Sequence, residues 1–349
     1  MKERTRVAAI AALALTLAAG GCHWAGPQKR EPLPVIVWPK APEIPRVRFV
    51  NAISRPEDLR ITGSMFKRFL SSLVGRARAS MGSPYGVAAD VSGRLYVVDP
   101  FQGVVHLFDA KENDYYSFVV AEAGLSSPIG IAMDDKTGRV YITDSKQGVV
   151  KVFGDRGKKA VGEIGRGTLK RPTGIAIHEK QGELLVVDTL AAAIVRYSLR
   201  DYRMKGVFGG AGRKQGRLHY PTNIWVTADS RILVSDSLNF RVQVFSPAGR
   251  FIKTFGSPGD GPGYFSRPRG VAADSDGNIY VVDGLFDNVQ VFSRDGGLLM
   301  AFGGPGRGYG EFWLPTGIFI DKNDTIYVSD SYNKRVQVFQ YMKGVGSPP

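Results

Sequence analysis

Six aspartates close six apolar runs. Asp99, Asp144, Asp188, Asp236, Asp283 and Asp330 end the segments LYVVD, VYITD, LLVVD, ILVSD, IYVVD and IYVSD. A ring of carboxylates could do acid–base chemistry, or collect calcium where several oxygens converge. Their recurrence argues for another use. A residue needed once in every unit serves the unit, and an Asp beside a turn accepts hydrogen bonds from turn amides. The four histidines do not form a second set. His23, His106, His178 and His219 fall at different places in the pattern, with no HxH or HExxH spacing. His219 is left as a lone base on a connecting loop. There is no GxSxG nucleophile elbow, and the Gly-rich pieces lie in turns between strands, not before helices. These residues yield no catalytic residue, no metal ligand and no cofactor.

The runs that carry the aspartates belong to a repeat. The units begin SPYGVAAD, SPIGIAMD, RPTGIAIH, YPTNIWVT, RPRGVAAD and LPTGIFID, led by Pro84, Pro128, Pro172, Pro221, Pro268 and Pro315. After each Asp comes a second apolar run: VVHLF, VVKVF, AIVRY, RVQVF, NVQVF and RVQVF. Val, Ile and Tyr in short runs bounded by turn residues predict strands. The alternation in Val-Gln-Val-Phe after Arg335 predicts one wet face. A fourth run follows in most units: YYSFVV from Tyr115, GVFG from Gly206, RFIKTFG from Arg250 and LLMAFG from Leu298. Four strands (a to d) in roughly 44–49 residues make one propeller blade, and one unit cannot bury its own apolar face. The fold class is therefore all-β, a six-bladed β-propeller. The last unit lacks a fourth strand. Arg46–Ile53 is expected to supply it and close the ring.

The units resemble the NHL-repeat family of six-bladed propellers. The resemblance rests on Pro-x-Gly at Pro84/Gly86, Pro128/Gly130, Pro172/Gly174, Pro268/Gly270 and Pro315/Gly317, on the Asp ending strand b, and on RVQVF at Arg241 and Arg335. Glycine-rich connectors such as FGGPGRGYGEFWLP match as well. Asn223, His178 and Ala193 depart from the pattern. The resemblance implies the fold; it does not choose among binding modules, lyases and hydrolases. NHL-type lyases rely on a histidine-rich metal site, which the histidines here do not assemble.

Residues 1–21 have a basic start, an apolar stretch from Val7 to Ala19 and small residues before Cys22, as in a secretory signal. Ala19–Cys22 resembles a bacterial lipobox, which implies lipidation at Cys22, the one cysteine in the chain. The proline-rich segment 22–45 is expected to be an extended linker. Residues 46–83 are expected to hold the closing strand and an amphipathic basic helix, with Met65, Phe66, Phe69, Leu70, Leu73 and Val74 on one face. The propeller proper spans 84–349.

The formal net charge is +14. Such a surface attracts anions. For a chain exported to a bacterial envelope, nucleic acid is a poor partner; a protein or an acidic glycan is a better one. Basic and aromatic residues gather on the connectors into strand a and between strands b and c, which share one rim. Arg269, Trp313, Tyr332, Arg307 and Lys334 are the binding candidates there, while Phe265 and Phe312 are expected to pack between blades. The resulting expectation is a monomeric, non-catalytic envelope lipoprotein, membrane-held through Cys22, whose propeller rim binds a protein or acidic glycan. The alternative is an NHL-class lyase or hydrolase acting at the central channel mouth.

Overall fold

The computed structural model describes residues 32–62, 80–119, 124–157 and 159–343. Six antiparallel sheets follow one another along the chain. Within each, strands a to d pair in order, and successive inner strands neighbour one another around a ring that returns from blade six to blade one. The protein is an all-β six-bladed propeller.

Sequence explains the packing directly. Every residue of strand b is buried in blades one, four and five (Leu95–Asp99, Ile232–Asp236 and Ile279–Asp283). Side chains alternate between opposite neighbours, as the two-residue strand period requires. In blade three, Leu184 and Val186 pack with Tyr141 and Val152 of blade two. Leu185 and Val187 pack with Ile224 and Val234 of blade four. Six such apolar clusters fill the six gaps between neighbouring blades. Strands b and c are thus buried on both faces, and RVQVF lacks the wet face that its alternation predicts. Gln337 is fully buried, donating to Asp330 Oδ2 at 3.0 Å and to the Glu311 carbonyl. Its polarity serves an internal hydrogen bond, not solvent.

Ring closure follows the expected route. Val47–Ile53 pairs antiparallel with Arg335–Tyr341, the outermost strand the sixth repeat itself supplies. Val47, Phe49 and Ile53 point into the core. The proline-rich segment departs from its reading as an extended linker. Val37–Trp38 adds a fifth strand outside Val47–Ile53, and Trp38 packs its ring 5.8 Å from Phe302 and 5.9 Å from Phe339. A large aromatic beside an open sheet edge gains more from burial than from extension. The signal segment, Cys22 and the basic helix expected around Met65–Val74 lie outside the described residues.

Near the axis the inner strands approach closely, which explains the Pro-x-Gly signature. A Cβ on Gly130 would lie 2.2 Å from the Thr173 carbonyl oxygen of the next blade. One on Gly317 would lie 2.1 Å from that of Tyr85. Hydroxyls then stitch the blades. Thr189 donates to the Pro221 carbonyl at 2.7 Å, Ser331 to that of Pro84 at 2.6 Å, and Ser237 to that of Pro268. Each of these three hydroxyls follows the Asp of strand b and also bonds a Thr after the leading proline: Thr173, Thr316 and Thr222. Blade five has Gly284 and Arg269 at these two places.

If the borrowed strand closes the core, Phe49→Ala should destabilise the protein by about 3 kcal/mol. Val50→Ala on the exposed face of the same strand should change it by less than about 0.5 kcal/mol. Urea denaturation followed by circular dichroism checks both; equal effects would contradict the placement.

Candidate functional site

The aspartates at the ends of strands b are structural, and they build the rim. Asp188 accepts the amides of Lys170 at 2.7 Å and Arg171 at 3.0 Å from the connector into strand a. It also accepts that of Ala191 from the b–c connector. Asp144 does the same with Ser127, Lys146 and Gln147. In blade six, Asp330 accepts from the Trp313 amide at 2.8 Å, Asn333 Nδ2 at 2.9 Å and Arg335 Nε at 2.8 Å. Such a buried carboxylate holds two connectors against one another. Burial pushes the Asp330 carboxyl above the usual range, against the Trp313 amide, Asn333 and Arg335. At Asp99 burial also acts upward, but the His106 ring and the amides of Gly82, Gln102 and Ser83 outweigh it and hold the group below its ordinary value.

On that rim, three of the candidate residues meet. The Arg307 guanidinium lies 4.6 Å from the centroid of the Trp313 ring, a cation–π contact. Trp313 and Tyr332 have ring centroids 5.5 Å apart, and the Tyr332 amide donates to the Trp313 carbonyl at 3.2 Å. Trp313 is 37% and Tyr332 57% exposed. Lys334, also exposed, follows two residues later in a left-handed conformation.

The loop is held in place by its neighbour in sequence. Phe312 is fully buried, as is Phe265 in the equivalent loop of blade five, so both pack as expected. At Gly303 (φ +88°) a Cβ would lie 2.4 Å from the Phe312 ring, so only glycine lets the phenyl seat there. The ring anchors the loop and leaves the following indole outside.

Arg269 is built differently. It is half-buried, its side chain lies against the backbone of Gly284, and its Nε is buried without a hydrogen-bond partner. A guanidinium fills space that Ser or Thr hydroxyls occupy in blades three, four and six. Elsewhere on the rim Arg171 stacks on Tyr220 at 5.8 Å and donates to its hydroxyl at 2.9 Å. Tyr309 leans on Phe49 at 5.2 Å, tying the loop to the closing strand.

The histidines stay apart. His106 is buried in strand c of blade one, Nδ1 2.8 Å from the Tyr115 hydroxyl and Nε2 3.5 Å from Asp99. His178 is buried at the end of an inner strand, and His219 is exposed, its amide donating to Asp236. Among the described residues no three His, Cys, Asp or Glu side chains group as metal ligands.

The central channel is present as expected, but its aromatic wall escaped sequence reasoning. A central cavity of about 780 Å³ runs along the inner strands to the turns between strands a and b. Four units carry Ala at the fourth place after the leading proline: Ala88, Ala132, Ala176 and Ala272. Blades four and six carry Trp225 and Phe319 instead, and their rings meet edge-on with centroids 5.5 Å apart. Aligning the six units on their prolines exposes this break in pattern.

A family model described as a 6-bladed beta-propeller matches residues 214–284 and 265–343. No curated protein sequence matches the chain. Among solved structures, virginiamycin B lyase from Staphylococcus aureus is similar at a TM-score of 0.55 and 14% identity, over 75% of this chain and 96% of that one. An auxiliary nutrient binding protein from Bacteroides thetaiotaomicron is similar at a TM-score of 0.60 and 16% identity, over 75% of this chain and 70% of that one. Kuenenia stuttgartiensis hydrazine synthase is similar at 0.54 and 12%, over 77% and 98%. At these identities the likeness is one of fold alone.

Because the native Asp99 carboxyl lies below its ordinary value, its stabilisation is present above the unfolded carboxylate pKa of about 3.9 and fades as pH falls through the native value. Asp99→Asn should therefore cost about 2 kcal/mol at neutral pH, with the gap to the parent protein shrinking in acid. Denaturation midpoints across that range measure it; a gap that widens in acid would refute the assignment.

Proposed function

We propose that this protein is a non-catalytic lipoprotein of the bacterial cell envelope whose propeller rim binds a protein or acidic glycan. The Arg307–Trp313–Tyr332 cluster carries the reading. Aromatic and arginine side chains held on a rigid scaffold, and still exposed, are the residue types that dominate recognition surfaces. Burying the cation–π pair against a partner removes water from it and strengthens it. Lys334 adds charge beside the cluster. Arg166, Lys170, Arg171, Arg213, Lys214, Arg217 and Arg267 extend the basic character along connectors of the same type. Anionic partners gain from such a field.

Arg269 belongs to this reading as a more deeply set cation between blades five and six. The alternative, a lyase or hydrolase at the central channel mouth, finds less support: His178 stands at the cavity wall but is buried, His106 lies inside a sheet, and His219 stands alone on the rim. The Staphylococcus aureus enzyme is a lyase by name and the Bacteroides protein a nutrient binder by name. The exposed cluster favours the second kind of role. Export and lipidation rest on the signal-like segment and Cys22, with attachment through the acyl chains at roughly 0.8 kcal/mol per buried CH₂.

Partner recovery from envelope extract should fall at least ten-fold when Arg307, Trp313 and Tyr332 are all changed to Ala, and should decline with rising salt. Unchanged recovery would remove the rim from consideration. Separately, Cys22→Ala should move the protein from the membrane to the soluble fraction on cell fractionation.

A further inference from the structure

The central cavity has a different chemistry from the rim. Its volume, about 780 Å³, lies in the range of small-molecule sites. Its wall combines two chemistries. Trp225 and Phe319 form an aromatic corner where the repeat supplies alanine. Two residues beyond Phe319 stands Asp321, on the same side of the chain by strand alternation, and both line the cavity. Carboxylates outnumber amines six to two among the lining residues, in a chain whose net charge is +14. Some are already engaged. Asp90 is paired with Arg94, Asp324 with Lys343, and Asp274 with Asn278 and Tyr280.

Asp321 stands beside the aromatic corner. Its Oδ1 accepts the amides of Asn323 and Thr325, the Tyr327 hydroxyl bonds to its carboxylate as Tyr280 does to Asp274, and among the described residues it, like Asp274, has no cationic partner. Across the same mouth, Lys322 of blade six reaches Asp135 of blade two at 3.9 Å, passing over blade one. This loose, partly exposed pair is easily exchanged for another cation.

We propose that the channel binds a small organic cation with an apolar body, its ammonium group at Asp321 and its body against Trp225 and Phe319. The carboxylate supplies the charge complement at the wet mouth. The rings supply apolar area and a π face for a cation that tilts inward. Lys322 would leave Asp135 and turn to solvent, so that Asp135 becomes a second carboxylate for the ligand. This site lies at the a–b turns, the opposite end of the inner strands from the rim cluster, so either assignment can fail without the other.

A matched pair of probes tests it: 4-phenylbutylammonium and 4-phenylbutyrate share one body and carry opposite charges. Calorimetry or saturation-transfer NMR on the full chain should show saturable binding of the cation, at least ten-fold tighter than the anion. Asp321→Asn should erase that preference, and Trp225→Ala should weaken the cation about ten-fold. Trp225→Phe, which keeps a ring and guards against misfolding, should retain most of the affinity. Equal or tighter binding of the anion, no saturable binding of either, or an unchanged affinity in folded Trp225→Ala would each overturn the proposal.

Discussion

A carboxylate buried where strand b ends is the interaction on which the rest of the molecule leans. Connector backbone must bend sharply at the rim, and its amides leave the sheet ladder there. Unpaired and buried, each would cost on the order of 1–3 kcal/mol. One Asp takes several of them at once, from the connector ahead of strand a and the connector after strand b. The carboxylate in turn is answered differently from blade to blade. In blades four and six Arg and Gln from strand c point at it, Arg241 with Gln243 and Arg335 with Gln337. In blade one His106 takes that place. The same arginines and glutamines reach on to carbonyls of the glycine-rich loops. A rim loop is therefore fixed by a chain of contacts that starts inside the sheet, which is how an exposed indole at Trp313 keeps one position.

This arrangement couples the blades in a way that apolar packing alone would not. Six similar clusters between six similar sheets define thickness and twist, but they resist sliding weakly, because methyl groups are interchangeable. The hydroxyl pairs near the axis are directional. Thr189, Ser237 and Ser331 each reach the carbonyl of the next leading proline, so neighbouring blades are pinned in height as well as in angle. The borrowed strand completes the scheme by pairing a segment ahead of the first repeat with the last one.

Much of this was legible because the repeat samples the same constraint six times. Pro-x-Gly, the terminal Asp and the missing last strand are each read from agreement among units. What stayed hidden was either context-dependent or singular. Gln337 reads as a surface residue in any one strand, and only the buried Asp330 beside it explains its place. Lys159–Ile164, strand d of blade two, mixes charge and glycine because an outer strand is mostly wet, so its apolar signal is faint. Val37–Trp38 is two residues long and flanked by prolines, too short for any period to show. Among the site residues, Arg307, Trp313 and Tyr332 were visible as exposed types on loops. Their stacking was not, since it depends on how residues 303–314 curl over Phe312.

Positions where a repeat protein breaks its own rule are the better guide to what it does. Symmetry serves the fold, and a departure that costs the fold something persists only where another need is met. Trp225 and Phe319 replace a small residue beside the axis, and Arg269 with Gly284 replaces a pair of hydroxyls that would satisfy a carbonyl. Both are local, and both alter a surface that ligands can reach. Net charge is a weaker guide. At physiological salt the field of one group fades over about 8 Å, so +14 spread over the molecule matters less than where its members stand. Lys and Arg crowd the connectors at one end of the inner strands, whereas Asp90, Asp135, Glu179 and Asp321 gather around the cavity at the other. The cavity lining and the rim connectors thus differ in charge balance, and they share no side chain.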